Sequence, residues 1–123
     1  MNVSLNHDTE RNVDRIVDLI MEKKGEDIVV LDLRNITSVS DFFIISTGNS
    51  SVQVRAIADE IREKLKKEYS IKPWHVEGYE AQKWILLDYV DIVVHVFDAG
   101  TRAYYSIEKL WEDAGFRKIE TDY

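Results

Sequence analysis

The sequence predicts a single α/β domain built on a mixed five-stranded sheet with flanking helices. Two apolar stripes recur at helical spacing, and five short apolar runs have strand length. Their order, α-β-β-α-β-β-β-α, is that of helices packed on a mixed sheet. A chain of 123 residues suits one domain spanning residues 1–123, and no repeat, low-complexity tract or linker divides it.

The first helix is read from Val13, Ile16, Val17 and Ile20, spaced i, i+3, i+4 and i+7. Asp8 or Thr9 is expected to cap its start, and Gly25, after Lys23 and Lys24, to stop it. Ile28 to Leu33 and Phe42 to Ser46 then read as buried strands. The second helix carries Val54, Ile57, Ala58, Ile61 and Leu65 on one stripe, opens after an N-cap at Asn49 or Ser50, and ends near Tyr69, short of the only proline, Pro73. Trp74 to Glu77 is a short strand. Lys83 to Leu87 and Ile92 to Phe97 form a hairpin around Asp88, Tyr89, Val90 and Asp91, and Thr101 to Ala114 is a last helix closed by Gly115.

Alternation sorts the hairpin into two faces. With Tyr89 and Val90 at the tip, Asp88 opposes Asp91, Leu86 opposes Val93 and Trp84 opposes His95. The other face pairs Leu87 with Ile92, Ile85 with Val94 and Lys83 with Val96. This second set is mostly aliphatic, as expected beneath helices. The first mixes an indole, an imidazole and two carboxylates, a poor core and a fitting contact surface, because interface hot spots combine aromatic anchors with a polar rim. From Trp74 to Asp98 the acids are Glu77, Glu80, Asp88, Asp91 and Asp98, against the single cation Lys83. Two readings fit these residues: a contact surface for a basic partner, or a solvated acidic face beside a helix that covers Trp84.

Bulk composition narrows the function. Sixteen Lys and Arg against 23 Asp and Glu give a formal charge of -7. That argues against a nucleic-acid binder, whose affinity comes largely from phosphate contacts, and favours a basic protein partner. The absence of cysteine excludes a disulfide framework and thiolate zinc sites, and fits a reducing compartment. No run reaches the roughly 20 apolar residues of a membrane span, and the N-terminus lacks a secretory layout. The expectation is a soluble cytoplasmic protein.

Catalysis finds little support. Asp91 and His95 lie on one strand face but roughly 13 Å apart by the strand rise, so they cannot chelate one ion together, and local hydrogen bonding accounts for His75 and His95. The turn Thr47-Gly48-Asn49-Ser50-Ser51 lies where a helix start attracts anions, and nucleotidyltransferases place a Gly-Ser turn there. Such enzymes also need a close carboxylate pair on a following strand to hold magnesium. Here that strand reads Asp91-Ile92-Val93-Val94-His95, with one carboxylate. No P-loop, nucleophile elbow or dinucleotide fingerprint is present. No catalytic residue, metal site or cofactor is expected.

From about Asp14 to Trp111 the chain resembles the ribosomal silencing factor, or Iojap-like, family. The blocks that carry the resemblance are Asp27 to Asp32, Ser40 to Gly48 (SDFFIISTG), Gln53 to Ala58, Val76 to Gly78, Trp84 to Tyr89 (WILLDY), Asp91 to Phe97 (DIVVHVF) and Arg102 to Trp111 (RAYYSIEKLW). The resemblance implies a nucleotidyltransferase-like fold without enzyme activity. It also implies binding to protein fourteen of the large ribosomal subunit, a steric block to joining of the small subunit, repression of translation, and homodimers. Organellar relatives imply a role in large-subunit assembly. The family usually carries Gly where Val90 stands, so a different turn is expected at the hairpin tip, and Ser106 replaces a common acid. The expected contact residues are Trp84 and Leu86 as apolar anchors, Asp88 and Asp91 as partners for Lys or Arg, Tyr89 at the tip, and Glu77 and Glu80 steering at the rim.

Overall fold

The computed structural model describes the backbone of residues 3–123, with side chains from residue 8 onward. Helix α1 (Val3–Glu22) is followed by strands β1 (Glu26–Asp32) and β2 (Phe42–Gly48), helix α2 (Ser51–Tyr69), and strands β3 (His75–Glu77), β4 (Trp84–Asp88) and β5 (Ile92–Asp98). A short helix α3 (Ala99–Tyr105), a 3-10 turn (Ile107–Trp111) and strand β6 (Gly115–Lys118) complete the chain. Among the described residues the sheet has six strands, not five, in the order β3-β4-β5-β2-β1-β6. Only β2 and β5 run parallel, so the sheet is mixed as expected.

The helical stripes bury as their spacing requires. Val13, Ile16, Val17 and Ile20 of α1 and Val54, Ile57, Ala58, Ile61 and Leu65 of α2 pack on Ile85, Leu87, Val94 and Val96 of the sheet. Each such aliphatic side chain withdrawn from water is worth about 1.5–3 kcal/mol. The other face is lined by Val29, Leu31, Phe43, Ile45, Val93 and Phe97, with Ile107 and Trp111 lying over it.

Three boundaries differ from the sequence reading. Asp8 and Thr9 lie inside α1 rather than capping it, and Lys24, at φ 62°, takes the left-handed turn after it, ahead of Gly25. The last helix breaks at Ser106, whose φ of 43° departs from helical backbone while its hydroxyl donates to the Ala103 carbonyl. The chain then turns back, and Gly115–Lys118 pairs antiparallel with β1. All four of these residues are exposed, so no alternation marked them as a strand.

Val90 answers the question of the hairpin tip. The observed pairs are Trp84 with Phe97, Leu86 with His95 and Asp88 with Val93, shifted by two residues from the expected register. A two-residue shift keeps every side chain on its face but separates Asp88 from Asp91. The Tyr89 amide donates to the Ile92 carbonyl at 2.8 Å, leaving Val90 and Asp91 as the turn. Val90 has φ 75°, in the left-handed region that glycine favours, and its amide is held by Asp88 Oδ1 at 2.8 Å. The Asp91 carbonyl accepts from the Asp41 and Phe42 amides and from the Ser40 hydroxyl at 2.9–3.0 Å, which aligns β2 with β5 and pins the turn.

Candidate partner-binding face

Strand β4 lays Trp84, Leu86 and Asp88 on the face that α3 and the 3-10 turn cover only in part, and all three are half-buried. Strand β3 extends that face, because Glu77 is paired with Leu86 and His75 with Asp88. Glu77 is exposed, and its carboxylate is hydrogen-bonded to His75 Nε2 at 2.7 Å. Gly78 then turns the chain. Its φ of 94° suits glycine, and a Cβ there would lie 1.9 Å from the Trp84 carbonyl oxygen, so the β3–β4 connection closes directly against the backbone of Trp84.

The indole of Trp84 is fixed on three sides. It stacks on Phe97 with ring centroids 4.7 Å apart and meets Tyr105 of α3 at 4.9 Å. Its Nε1 donates to His95 Nδ1 at 3.1 Å. His95 must therefore accept at Nδ1 and be neutral. Burial agrees, since the 4% exposed ring is pushed down to a pKa of about 3 by desolvation. Phe43 packs on His95 at 4.8 Å, and Trp111 packs edge-on against Phe43 at 5.9 Å. The result is a fixed aromatic cluster around a half-buried indole, with Leu86 and Asp88 following it on the same strand face. Among the described residues, no three His, Asp or Glu groups gather closely enough to hold a metal ion.

Two expected contact residues lie elsewhere. Tyr89 is turned into the layer packed beneath α1 and α2, and its hydroxyl lacks a hydrogen-bond partner among the described residues. Burial raises its pKa. Asp91, carried by the turn, accepts the Thr9 hydroxyl of α1 at 3.2 Å and lines a cleft with Arg11, Leu65 and Tyr69. The turn at Val90 and Asp91 leaves both on the helix side of the tip. Glu80 is exposed in the turn between β3 and β4. Asp98, counted among the local acids, instead caps α3: it accepts the Thr101 amide at 2.8 Å, which lowers its pKa.

Tyr105 and Tyr104 belong to this surface and were missed from the sequence. Tyr104 is 82% exposed and packs edge-on against Tyr105 at 5.0 Å, extending the aromatic ridge from Trp84. Two adjacent tyrosines are their only signal, and a single helix over Thr101 to Ala114 does not show that the chain breaks just after them, at Ser106.

In the turn at Thr47 to Ser51, the Thr47 and Ser50 hydroxyls and the Asn49 amide are bonded within the protein. Ser50 Oγ accepts the Gln53 amide at 3.1 Å, and Gln53 Oε1 accepts the Asn49 amide at 2.5 Å, a reciprocal cap of α2. Arg102 donates to Thr47 Oγ1 at 2.9 Å, to the Asp27 carbonyl at 2.6 Å and to Glu108 at 2.8 Å. A Cβ on Gly48 would lie 2.8 Å from the Val54 amide nitrogen, so close packing of strand on helix accounts for this glycine. Among the described residues, no helix is long and apolar enough to cross a membrane.

Comparison with known proteins agrees over nearly the full chain. Residues 6–123 match the family model described as ribosomal silencing factor during starvation. The ribosomal silencing factor RsfS of Halalkalibacterium halodurans is 45% identical over 104 residues, 85% of this chain and 88% of that protein. That of Bacillus subtilis is 46% identical over 99 residues, 80% and 83% of the two chains. A mouse protein named mitochondrial assembly of ribosomal large subunit protein 1 is 28% identical over 102 residues, 81% of this chain but 45% of its own length. A crystal structure from Chromobacterium violaceum superposes with a TM-score of 0.81 at 34% identity, covering 93% of this chain and 92% of that one. By sequence and by fold, the chain belongs to the ribosomal silencing factor (RsfS) family.

Proposed function

We propose that this protein is a cytoplasmic silencing factor that docks on protein fourteen of the large ribosomal subunit and thereby blocks joining of the small subunit, repressing translation. The observation that carries the reading is the Trp84 indole, locked by Phe97, Tyr105 and His95 yet only half-buried, on a strand face that continues through Leu86 to Asp88 and has Glu77 across from Leu86. A rigid aromatic anchor loses little side-chain freedom on binding, and neighbouring carboxylates favour a Lys- or Arg-bearing surface. Trp84, Leu86 and Asp88 form the centre of this contact, with Glu77 and Glu80 at its rim. Binding rather than catalysis is the mode of action, in keeping with a turn in which the Ser50 hydroxyl caps α2 and the Thr47 hydroxyl holds Arg102.

Replacing Trp84 by Ala is expected to weaken binding to purified large subunits by about 2 kcal/mol or more, roughly thirtyfold. Wild-type affinity in a correctly folded variant would refute the site. The mouse relative's name favours a second reading, action on large-subunit assembly. Sedimentation of mature subunits with and without the protein, at matched magnesium, separates the two, because only a silencing factor lowers the fraction of joined ribosomes. The same proposal includes a homodimer, tested by equilibrium sedimentation of the free protein. A calorimetric titration with ATP and magnesium tests the nucleotidyltransferase alternative, for which saturable heat would count.

A further inference from the structure

A second surface, at the sheet's β3 edge, reverses the charge of the molecule. The C-terminal half of α2 and the segment leading into β3 enclose an open groove of about 650 Å³, lined by Asp59, Arg62, Glu63, Lys66, Lys72 and Trp74 among others. Three cations meet two acids there, and one of those acids, Asp59, already pairs with Arg55 at 3.5 Å. The whole chain carries -7. Lys66 and Lys72 have no ion-pair partner among the described residues.

Trp74 stands over this groove with 77% of its surface in water, and among the described residues its one ring neighbour is His75 at 5.9 Å. An exposed indole in a mobile loop would carry little meaning, but this one sits on anchored backbone. The Ile71 amide is tied to the Leu65 carbonyl at 3.1 Å and the Trp74 amide to the Asp88 carbonyl at 2.7 Å, with Pro73 stiffening the link between them. A flat ring held open beside unpaired lysines is the arrangement by which proteins take single-stranded nucleic acid, stacking on a base while cations track the phosphates. A protein ligand would need acidic groups for the lysines and a socket for an indole that stands 77% exposed.

We propose that the α2–β3 groove binds single-stranded RNA, an unpaired stretch of ribosomal RNA beside the docked protein, with Trp74 stacked on a base and Arg62, Lys66 and Lys72 on phosphates. This rests on the docking proposed above: His75 lines the groove and also lies opposite Asp88 on the partner-binding face, so the two surfaces are continuous.

The test is fluorescence anisotropy of the full chain with a labelled oligouridylate of about a dozen nucleotides, a length set by the usual site sizes. Wild type should bind saturably at low salt, with log affinity falling against log salt at a slope of about −2 for three phosphate contacts. Trp74→Ala should weaken this about tenfold or more, and Lys66→Glu with Lys72→Glu should abolish it. Trp84→Ala should leave it unchanged. The groove variants should also weaken binding to whole large subunits while leaving affinity for isolated ribosomal protein fourteen intact. Absent saturable binding, or an unaffected Trp74→Ala variant, overturns the RNA site. RNA binding with unchanged subunit affinity overturns the ribosomal assignment, and a matching loss for isolated protein fourteen would make the groove a protein contact instead. If Trp84→Ala leaves subunit binding intact, the docking proposal fails separately, and the oligonucleotide titration still reports on the groove.

Discussion

Acidification from pH 7 to pH 5 should remove about 2 kcal/mol of folding stability through His95 alone. The folded imidazole is held neutral, its pKa pushed down to about 3 by burial, whereas the unfolded chain titrates near the ordinary value of about 6.5. Between those values the unfolded state holds a proton that the folded state refuses, so stability rises with pH. The contribution is fully present above pH 6.5 and is lost progressively as the solution is acidified toward pH 3. At about 1.4 kcal/mol per pH unit, the loss between pH 7 and pH 5 comes to about 2 kcal/mol. The geometry supplies the cause, because protonating Nδ1 would destroy the acceptor that receives the Trp84 indole N–H at 3.1 Å. Carboxylates held low by partners, such as Asp32 beside Arg34 and Asp98 at its cap, lose their stabilisation only at more acid pH. Urea denaturation at pH 7, 6 and 5, on wild type and on His95→Gln, isolates the effect. Gln keeps an acceptor for the indole but does not titrate, so its overall cost is constant and only the pH dependence differs. Equal losses in the two proteins between pH 7 and pH 5 would refute the reasoning.

Three further outcomes follow from local geometry. Val90→Gly should raise stability by about 0.5–1 kcal/mol: a branched side chain at φ 75° costs about 1–2 kcal/mol, partly offset by glycine's entropy, and Val90 is already 58% exposed; a lower urea midpoint would contradict this. Gly78→Ala should cost about 3 kcal/mol or more and weaken large-subunit binding, since its Cβ would strike the Trp84 carbonyl that positions the anchor; the urea midpoint and a pull-down of subunits report the two effects. Arg102→Ala should cost about 2–3 kcal/mol, measured by urea unfolding, because Glu108, the Asp27 carbonyl and the Thr47 hydroxyl all lose their donor. Lys at position 102 should restore only part, having one charged centre for a three-way fork.

Much of the fold was legible in the sequence because its signals are local. The stripes of α1 and α2 follow from periodicity and became the core beneath the helices, while the apolar runs of β2 and β5 divide between that core and the opposite face of the sheet. Alternation along β4 also separated Trp84, Leu86 and Asp88 from Ile85 and Leu87 correctly, as parity survives a two-residue shift. The family could be recognised from ordered blocks of residues without coordinates.

What the sequence could not determine by itself depends on groups far apart in the chain. The hairpin register was settled by Asp88 capping the Val90 amide and by the Asp91 carbonyl gathering donors from residues 40–42, which left Asp91 in the turn against Thr9 and Tyr89 packed beneath the helices instead of at an open tip. Strand β6 exists because β1 offered an unpaired edge, although its four residues bury nothing. Trp84 stays only half-buried because α3 stops at Ser106 and leaves the β3–β4 side of the sheet uncovered. Periodicity reports which way a side chain points; which neighbour reaches it is decided by backbone hydrogen bonds and chain breaks that only the assembled molecule brings together.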